Sequence, residues 1–185
     1  MIQIVPYDAS WPAAFEAEAT SIRGAFGELA LRVDHVGSTS VPGLAAKPVI
    51  DIQVSVPFLG PMSTYVNLLA GLGYIHITLG PFDLVYPFFQ KPADWPCTHH
   101  VHLCVVGSEL ESRHLAFRDY LRRHPDVSDQ YVELKRELAA RNHGATLESR
   151  ERYALSKTTF VDSVLSRVLS ERSVSSRPVD HELDR

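Results

Sequence analysis

The sequence predicts an α+β domain, and three observations carry the prediction. Strand-like and helix-like stretches alternate over roughly residues 2 to 106. From Glu109 onward every periodic stretch is helical. Between them "PVIDIQVSV", residues 48–56, places Asp51, Gln53 and Ser55 on one side and Ile50, Ile52, Val54 and Val56 on the other. Period-two alternation is the signature of a strand with one core face, and a mixed first part followed by helices is an α+β order.

The elements follow in turn. Residues 2–6 read as a short strand stopped by Pro6. Ser10 is placed to cap a helix with Pro12 in its first turn, ending near Gly24 or Gly27 at about residue 26. "ELALRVDHV" reads as a strand and "GSTSVPG" as a turn. After "PVIDIQVSV" a helix is expected over about 61–71, broken by Gly71 and Gly73. "YIHITL", "FDLVYPFF" and "HHVHLCVV" read as strands, separated by Gly80-Pro81 and "KPADWPC". Helices are expected over roughly 109–123, 127–142 and 147–170. The chain is therefore read as one domain over 1–170, with 109–170 its helical part. The last fifteen residues, 171–185, lack core residues and are expected to form a disordered tail.

Composition narrows the function classes. The 185 residues carry 18 Lys and Arg against 22 Asp and Glu, a formal charge of −4, so no global basic footprint for nucleic acid is present. Two cysteines, Cys97 and Cys104, make neither a disulfide framework nor a C-x-x-C pair. No basic n-region precedes an apolar core, and no apolar run has the length of a membrane span. The expectation is a cytoplasmic protein with no membrane partner. The apolar "FDLVYPFF" would suit an interface if exposed; the oligomeric state is not readable.

Four groups of residues can carry chemistry. Gly37-Ser38 allows close backbone approach to a phosphate and supplies a hydroxyl, although the same stretch is also an ordinary turn. Asp51 can hold a divalent metal and, through it, phosphates; alternatively its strand face simply meets water. In "HHVHLC", His100, His102 and Cys104 share one face, and with Asp51 the two imidazoles make a metal trio if the strands are neighbours. The alternative is strand histidines without a ligand. "YVELKREL" and "YALSKTTF" share Tyr-x-x-x-Lys, which puts Lys135 and Lys157 on apolar helix faces. Such lysines either snorkel to water or neutralise an anionic cleft. "ESRHLAFRDYLRRH" is a packed helix from which an arginine, Arg118 among them, can reach the same cleft.

Taken together, "VDHVGSTSVPGLAAKPVIDI", "HHVHLCVVGSE", "RHLAFRDYLRRHPDV", "YVELKREL" and "YALSKTTFV" resemble the GrpB family over about residues 3–170. That family belongs to the nucleotidyltransferase superfamily, and a similar region is fused to the C-terminus of some bacterial dephospho-CoA kinases. The resemblance implies a small mixed sheet flanked by helices. It implies that Gly37 and Ser38 meet the triphosphate and that Asp51 is the first metal-binding acid. The second acid of the superfamily falls at Gln53, a departure that removes a charge from the usual two-ion site. A later strand offers His100 or His102 in place of a third acid. The implied cofactor is a divalent metal, Mg²⁺ or Mn²⁺, with Zn²⁺ suited to the imidazoles. The implied partners are an NTP and an unnamed acceptor. The expected activity is transfer of a nucleoside monophosphate, with Asp51 and His102 catalytic and Gly37, Ser38, Lys135, Lys157 and Arg118 binding nucleotide. A non-catalytic nucleotide-binding helper module and a mononuclear metal enzyme using Asp51, His100 and His102 are the alternatives.

Overall fold

The computed structural model describes residues 2–142 and 146–175. Its centre is a five-stranded sheet of β1 (Arg32–Val36), β2 (Ile50–Val56), β3 (Ile75–Ile77), β4 (Phe88–Lys91) and β5 (His99–Val105). The order across the sheet is β1-β2-β5-β4-β3. Only β2 and β5 run parallel; the other three pairings are antiparallel. The sheet is thus mixed, as expected.

Among the described residues six α-helices accompany it: α1 (Trp11–Phe26), α2 (Met62–Ala70), α3 (Glu109–Arg123), α4 (Pro125–Arg141), α5 (Leu147–Leu155) and α6 (Thr158–Ser175). Trp11, Phe15, Ala19, Ile22 and Phe26 recur at helical spacing and are all buried. They pack with Tyr65 and Leu69 of α2 against Ile50, Ile52, Val54, Val56, Val101 and Leu103, the apolar face of the two central strands. The other face is polar but not wet. Gln53, Ser55 and Cys104 are buried there beneath α3. Beyond them, Tyr120 and Leu121 of α3, Tyr131 and Val132 of α4, and Val164 and Val168 of α6 form a second core with Val41 and Leu44. Both faces of β2 are packed, so of the two readings of its polar face, the one that simply meets water does not hold.

Several boundaries differ from the sequence reading. Residues 2–6 make one bridge, with Val5 and Ala46 exchanging bonds of 2.9 and 3.0 Å, rather than a strand. Ser10 gives no side-chain cap; its backbone N–H donates to Asp8 Oδ1 at 2.8 Å. "FDLVYPFF" splits into a 3-10 turn, Gly80–Leu84, and β4. The stretch before β1 likewise begins as the turn Gly27–Leu29. Pro125 starts α4 instead of preceding it, because proline at the first helical turn sacrifices no bond. The helix expected over 147–170 is two helices, broken at Ser156 and Lys157. There Ser156 Oγ bonds the Arg152 carbonyl at 2.8 Å, a local competitor with the helix ladder. Residues 171–175, assigned to the tail, continue α6; 176–185 lie outside the described residues.

Candidate functional site

Parallel pairing of β2 and β5 sets Asp51 opposite His100 and Gln53 opposite His102. The strand period then turns all four toward the polar face. His100 Nδ1 lies 2.9 Å from Asp51 Oδ1, and His102 Nε2 lies 3.8 Å from the same oxygen. One donor atom from each of Asp51, His100 and His102 falls within 4.8 Å of the others. Burial alone would raise the Asp51 pKa, but hydrogen bonds from His100 and His102 hold it well below the usual carboxylate range. Burial lowers the His100 pKa, against the pull of Asp51. Two imidazoles and an ionised carboxylate are a donor set for a divalent transition metal rather than for Mg²⁺, which prefers oxygen. His102 Nδ1 is buried without a hydrogen-bond partner among the described residues.

Gln53 does not join this set. Its Oε1 is 3.0 Å from His114 Nδ1, and its Nε2 donates to the Glu111 carbonyl at 3.4 Å. Cys104 also stays out, packed with its Sγ 3.7 Å from Ser55 Oγ.

The turn after β1 presses on the cluster. Gly37 has φ +68°, and a Cβ there would lie 2.4 Å from Asp51 Oδ2. Only glycine supplies both the conformation and the space. His35 and Asp34 do not reach the cavity lining. His35 instead stacks on Phe15, with ring centroids 4.7 Å apart, and meets Thr39 Oγ1 at 3.0 Å. Burial takes its pKa down to about 4, so the ring is neutral and supports the turn.

A cavity of about 410 Å³ opens between this cluster and the C-terminal helices. Gly37, Ser38, Asp51, His100, His102, Lys135 and Lys157 all line it. Lys135 is 2% exposed, which overturns the snorkelling alternative. Its Nζ donates to the Ala45 carbonyl and lies 4.8 Å from the Tyr131 ring centroid. Burial, with Lys157 and Arg136 adding repulsion, takes its pKa down to about 7. Lys157 Nζ lies 4.5 Å from the Tyr153 ring centroid. Its pKa falls to about 8 through burial and Lys47, with Asp51 opposing. Arg118 is the exception among the expected binding residues. It is engaged with β1 and its own helix, donating to the His35 carbonyl at 3.0 Å and to Asp119 at 2.7 Å, and does not line the cavity.

The structure adds residues that spacing alone did not single out. Lys47 and Arg150 line the cavity on either end of a cation–π group, 5.2 and 4.8 Å from the Trp95 ring centroid. Tyr86 and His114 complete the wall beside His102. "KPVID" held a signal for Lys47, a lysine leading directly into the Asp51 strand. Trp95 lies in a turn-like stretch, and the strand and helix expected around Tyr86 and Arg150 did not mark those two residues within them.

No helix among the described residues is long and apolar enough to cross a membrane. The fold resembles that of the Cid1 poly(U) polymerase, with a TM-score of 0.51 and 11% identity over 77% of this chain and 46% of that one, a likeness of fold alone. The crystal structure of GrpB from Enterococcus faecalis superposes with a TM-score of 0.77 and 33% identity, covering 92% of this chain and 99% of that one. A UPF0157 protein of Pseudomonas aeruginosa is 40% identical over 91% of this chain and 68% of its own length. A dephospho-CoA kinase of Mycolicibacterium paratuberculosis is 33% identical over 77% of this chain, which spans only 41% of the kinase. A family model described as GrpB protein matches residues 1–167, and with these likenesses the chain belongs to the GrpB family.

Proposed function

We propose that this chain is a metal-dependent nucleotidyltransferase that moves a nucleoside monophosphate from an NTP to an acceptor not identified by the site. One observation carries the reading. The Asp51–His100–His102 cluster faces Lys47, Lys135 and Lys157 across a single cavity large enough for a nucleotide's phosphates. Asp51, His100 and His102 would hold the metal, Zn²⁺ or Mn²⁺ fitting the donors better than Mg²⁺. The bound ion would supply charge stabilisation for a transferring phosphoryl group. Gly37 and Ser38 bring backbone and hydroxyl to the same edge. Lys157 and Lys135 neutralise the phosphates, and their desolvated amines strengthen that contact because water competes less. His102 serves as ligand or as base to the acceptor.

The test is thermal denaturation with NTPs and each of Mg²⁺, Mn²⁺ and Zn²⁺, on wild type and Asp51→Asn. A ligand at 100 times its Kd adds about 2.7 kcal/mol. A joint NTP and metal shift that Asp51→Asn abolishes is expected. An Asp51→Asn variant that keeps both metal and nucleotide binding sinks the proposal.

The mononuclear metal enzyme has its own support in the two-histidine, one-carboxylate donor set. It predicts a stoichiometric transition metal and no preference for nucleotides. The engagement of Gln53 away from the donors favours one ion over two in either case. A helper module that binds nucleotide without reacting it predicts the joint shift with no pyrophosphate release.

A further inference from the structure

A hydrogen-bonded chain separate from the three metal donors backs the cavity wall at His114. It starts at Gln53, which is 0% exposed. Gln53 Nε2 faces the Glu111 carbonyl at 3.4 Å. A carbonyl only accepts, so the amide nitrogen belongs on that side and Oε1 belongs toward His114. Oε1 also only accepts. His114 Nδ1, 3.0 Å away, therefore carries the proton, and Nε2 carries the lone pair. Tyr86 Oη is 2.7 Å from the same Nδ1 and 3.5 Å from Nε2. An oxygen at those two distances lies beside the ring, well off the Nδ1–H axis, so the proton committed to Gln53 leaves the Tyr86 hydroxyl no acceptor at Nδ1. That O–H is then left for a group in the cavity, which Tyr86 and His114 both line. The ring cannot easily swing away. It stacks on His102, centroids 5.0 Å apart at 17°, and tilts against His114 at 5.0 Å.

We propose that Tyr86 is a ligand-binding residue whose hydroxyl donates to an anionic oxygen of the molecule held at Asp51, His100 and His102, and that Gln53 and His114 are positioning residues which aim it. A nucleotide phosphate and free inorganic phosphate offer the same oxygen chemistry. The nucleotide as source rests on the function proposed above; the donor itself does not.

Tyr86→Phe removes one oxygen from the cavity wall and little else. Calorimetric titrations of Mn²⁺-loaded wild type and variant, with ATP and separately with inorganic phosphate, read the effect. Loss of one hydrogen bond to a charged group weakens anion affinity roughly 10- to 100-fold. The affinity for Mn²⁺ alone is expected to stay unchanged. Equal anion affinity in wild type and Tyr86→Phe overturns the assignment. Wild type that binds phosphate but not ATP removes the nucleotide reading, and the Tyr86 comparison is then decided on phosphate. Wild type that binds neither anion overturns both.

The positioning role is read from the ring-nitrogen chemical shifts of His114 in metal-free protein. Wild type is expected to show the Nδ1–H tautomer, and Gln53→Met a mixture, with anion affinity lowered toward that of Tyr86→Phe. An Nε2–H tautomer in wild type overturns the positioning chain, and that spectrum decides even if Gln53→Met fails to fold.

Discussion

Gly37 is the most tightly confined of the described glycines. A methyl group there would meet both the Asp51 carboxylate and a backbone at φ +68°. Gly37→Ala is expected to cost about 1–3 kcal/mol of stability and to weaken divalent metal binding roughly 10-fold or more. Urea denaturation and metal titration check the two effects. Lys135 and Lys157 make a prediction with a definite sign. Their native pKa values, about 7 and about 8, lie below the ordinary 10.5. Between those values the unfolded chain binds more protons than the native one, so ligand-free stability rises as pH increases from 7 toward 10.5. The burial penalty is fully present below pH 7. A Lys135→Met, Lys157→Met double variant should flatten this rise in a series of thermal melts. Affinity for tripolyphosphate runs the opposite way, falling as the amines lose their protons. The sequence marked both lysines through a shared Tyr-x-x-x-Lys spacing, but not that Lys135 ends on the Ala45 carbonyl. That contact spans 90 residues, beyond what a helical period can express.

At the scale of elements, the parallel pairing of β2 and β5 makes the site. A slip of one residue would send Asp51 to the α1 face and Ile52 to the cavity. The alternation of each strand was legible, because β2 sets Ile50, Ile52, Val54 and Val56 on one face and β5 sets Val101 and Leu103 on one face. Their adjacency was not, because 49 residues separate Asp51 from His100. The polar side is locked by α3. Glu111 is 4% exposed and accepts from the Gly107 N–H at 2.7 Å and from the Ser55 hydroxyl. Its own N–H bonds the Ser108 cap at 3.3 Å. Glu111→Ala would strand the buried Ser55 hydroxyl and release the Gly107 N–H, and is expected to destabilise by about 1–3 kcal/mol in urea. Its near isostere Glu111→Gln keeps an acceptor and should cost less. The break between α5 and α6 was hidden for the opposite reason. Tyr153, Lys157, Phe160 and Val164 keep helical spacing across it, so the period gives no sign of a turn.

Across the whole molecule, one cavity gathers residues from Gly37 to Lys157, drawn from the sheet and from the helical part. The α+β order of the sequence was sufficient to place helices after the sheet. It could not place α5 along the cavity, since that depends on packing between distant segments. If the cavity takes a polyphosphate, salt should weaken the complex, by a modest factor because the lysines are buried and poorly screened. Titrations between 50 and 500 mM salt, on the order of a threefold change in Debye length, check this.

The placement of charge has a kinetic consequence. The chain as a whole is negative, at −4, while Lys47, Lys135, Arg150 and Lys157 outnumber Asp51 and Glu151 around one concavity. An anion approaching from a distance meets mild repulsion and finds attraction only at the mouth. Long-range steering therefore does not speed its arrival. Added salt should leave the association rate constant level or raise it slightly, and act mainly by shortening the residence time of the bound anion.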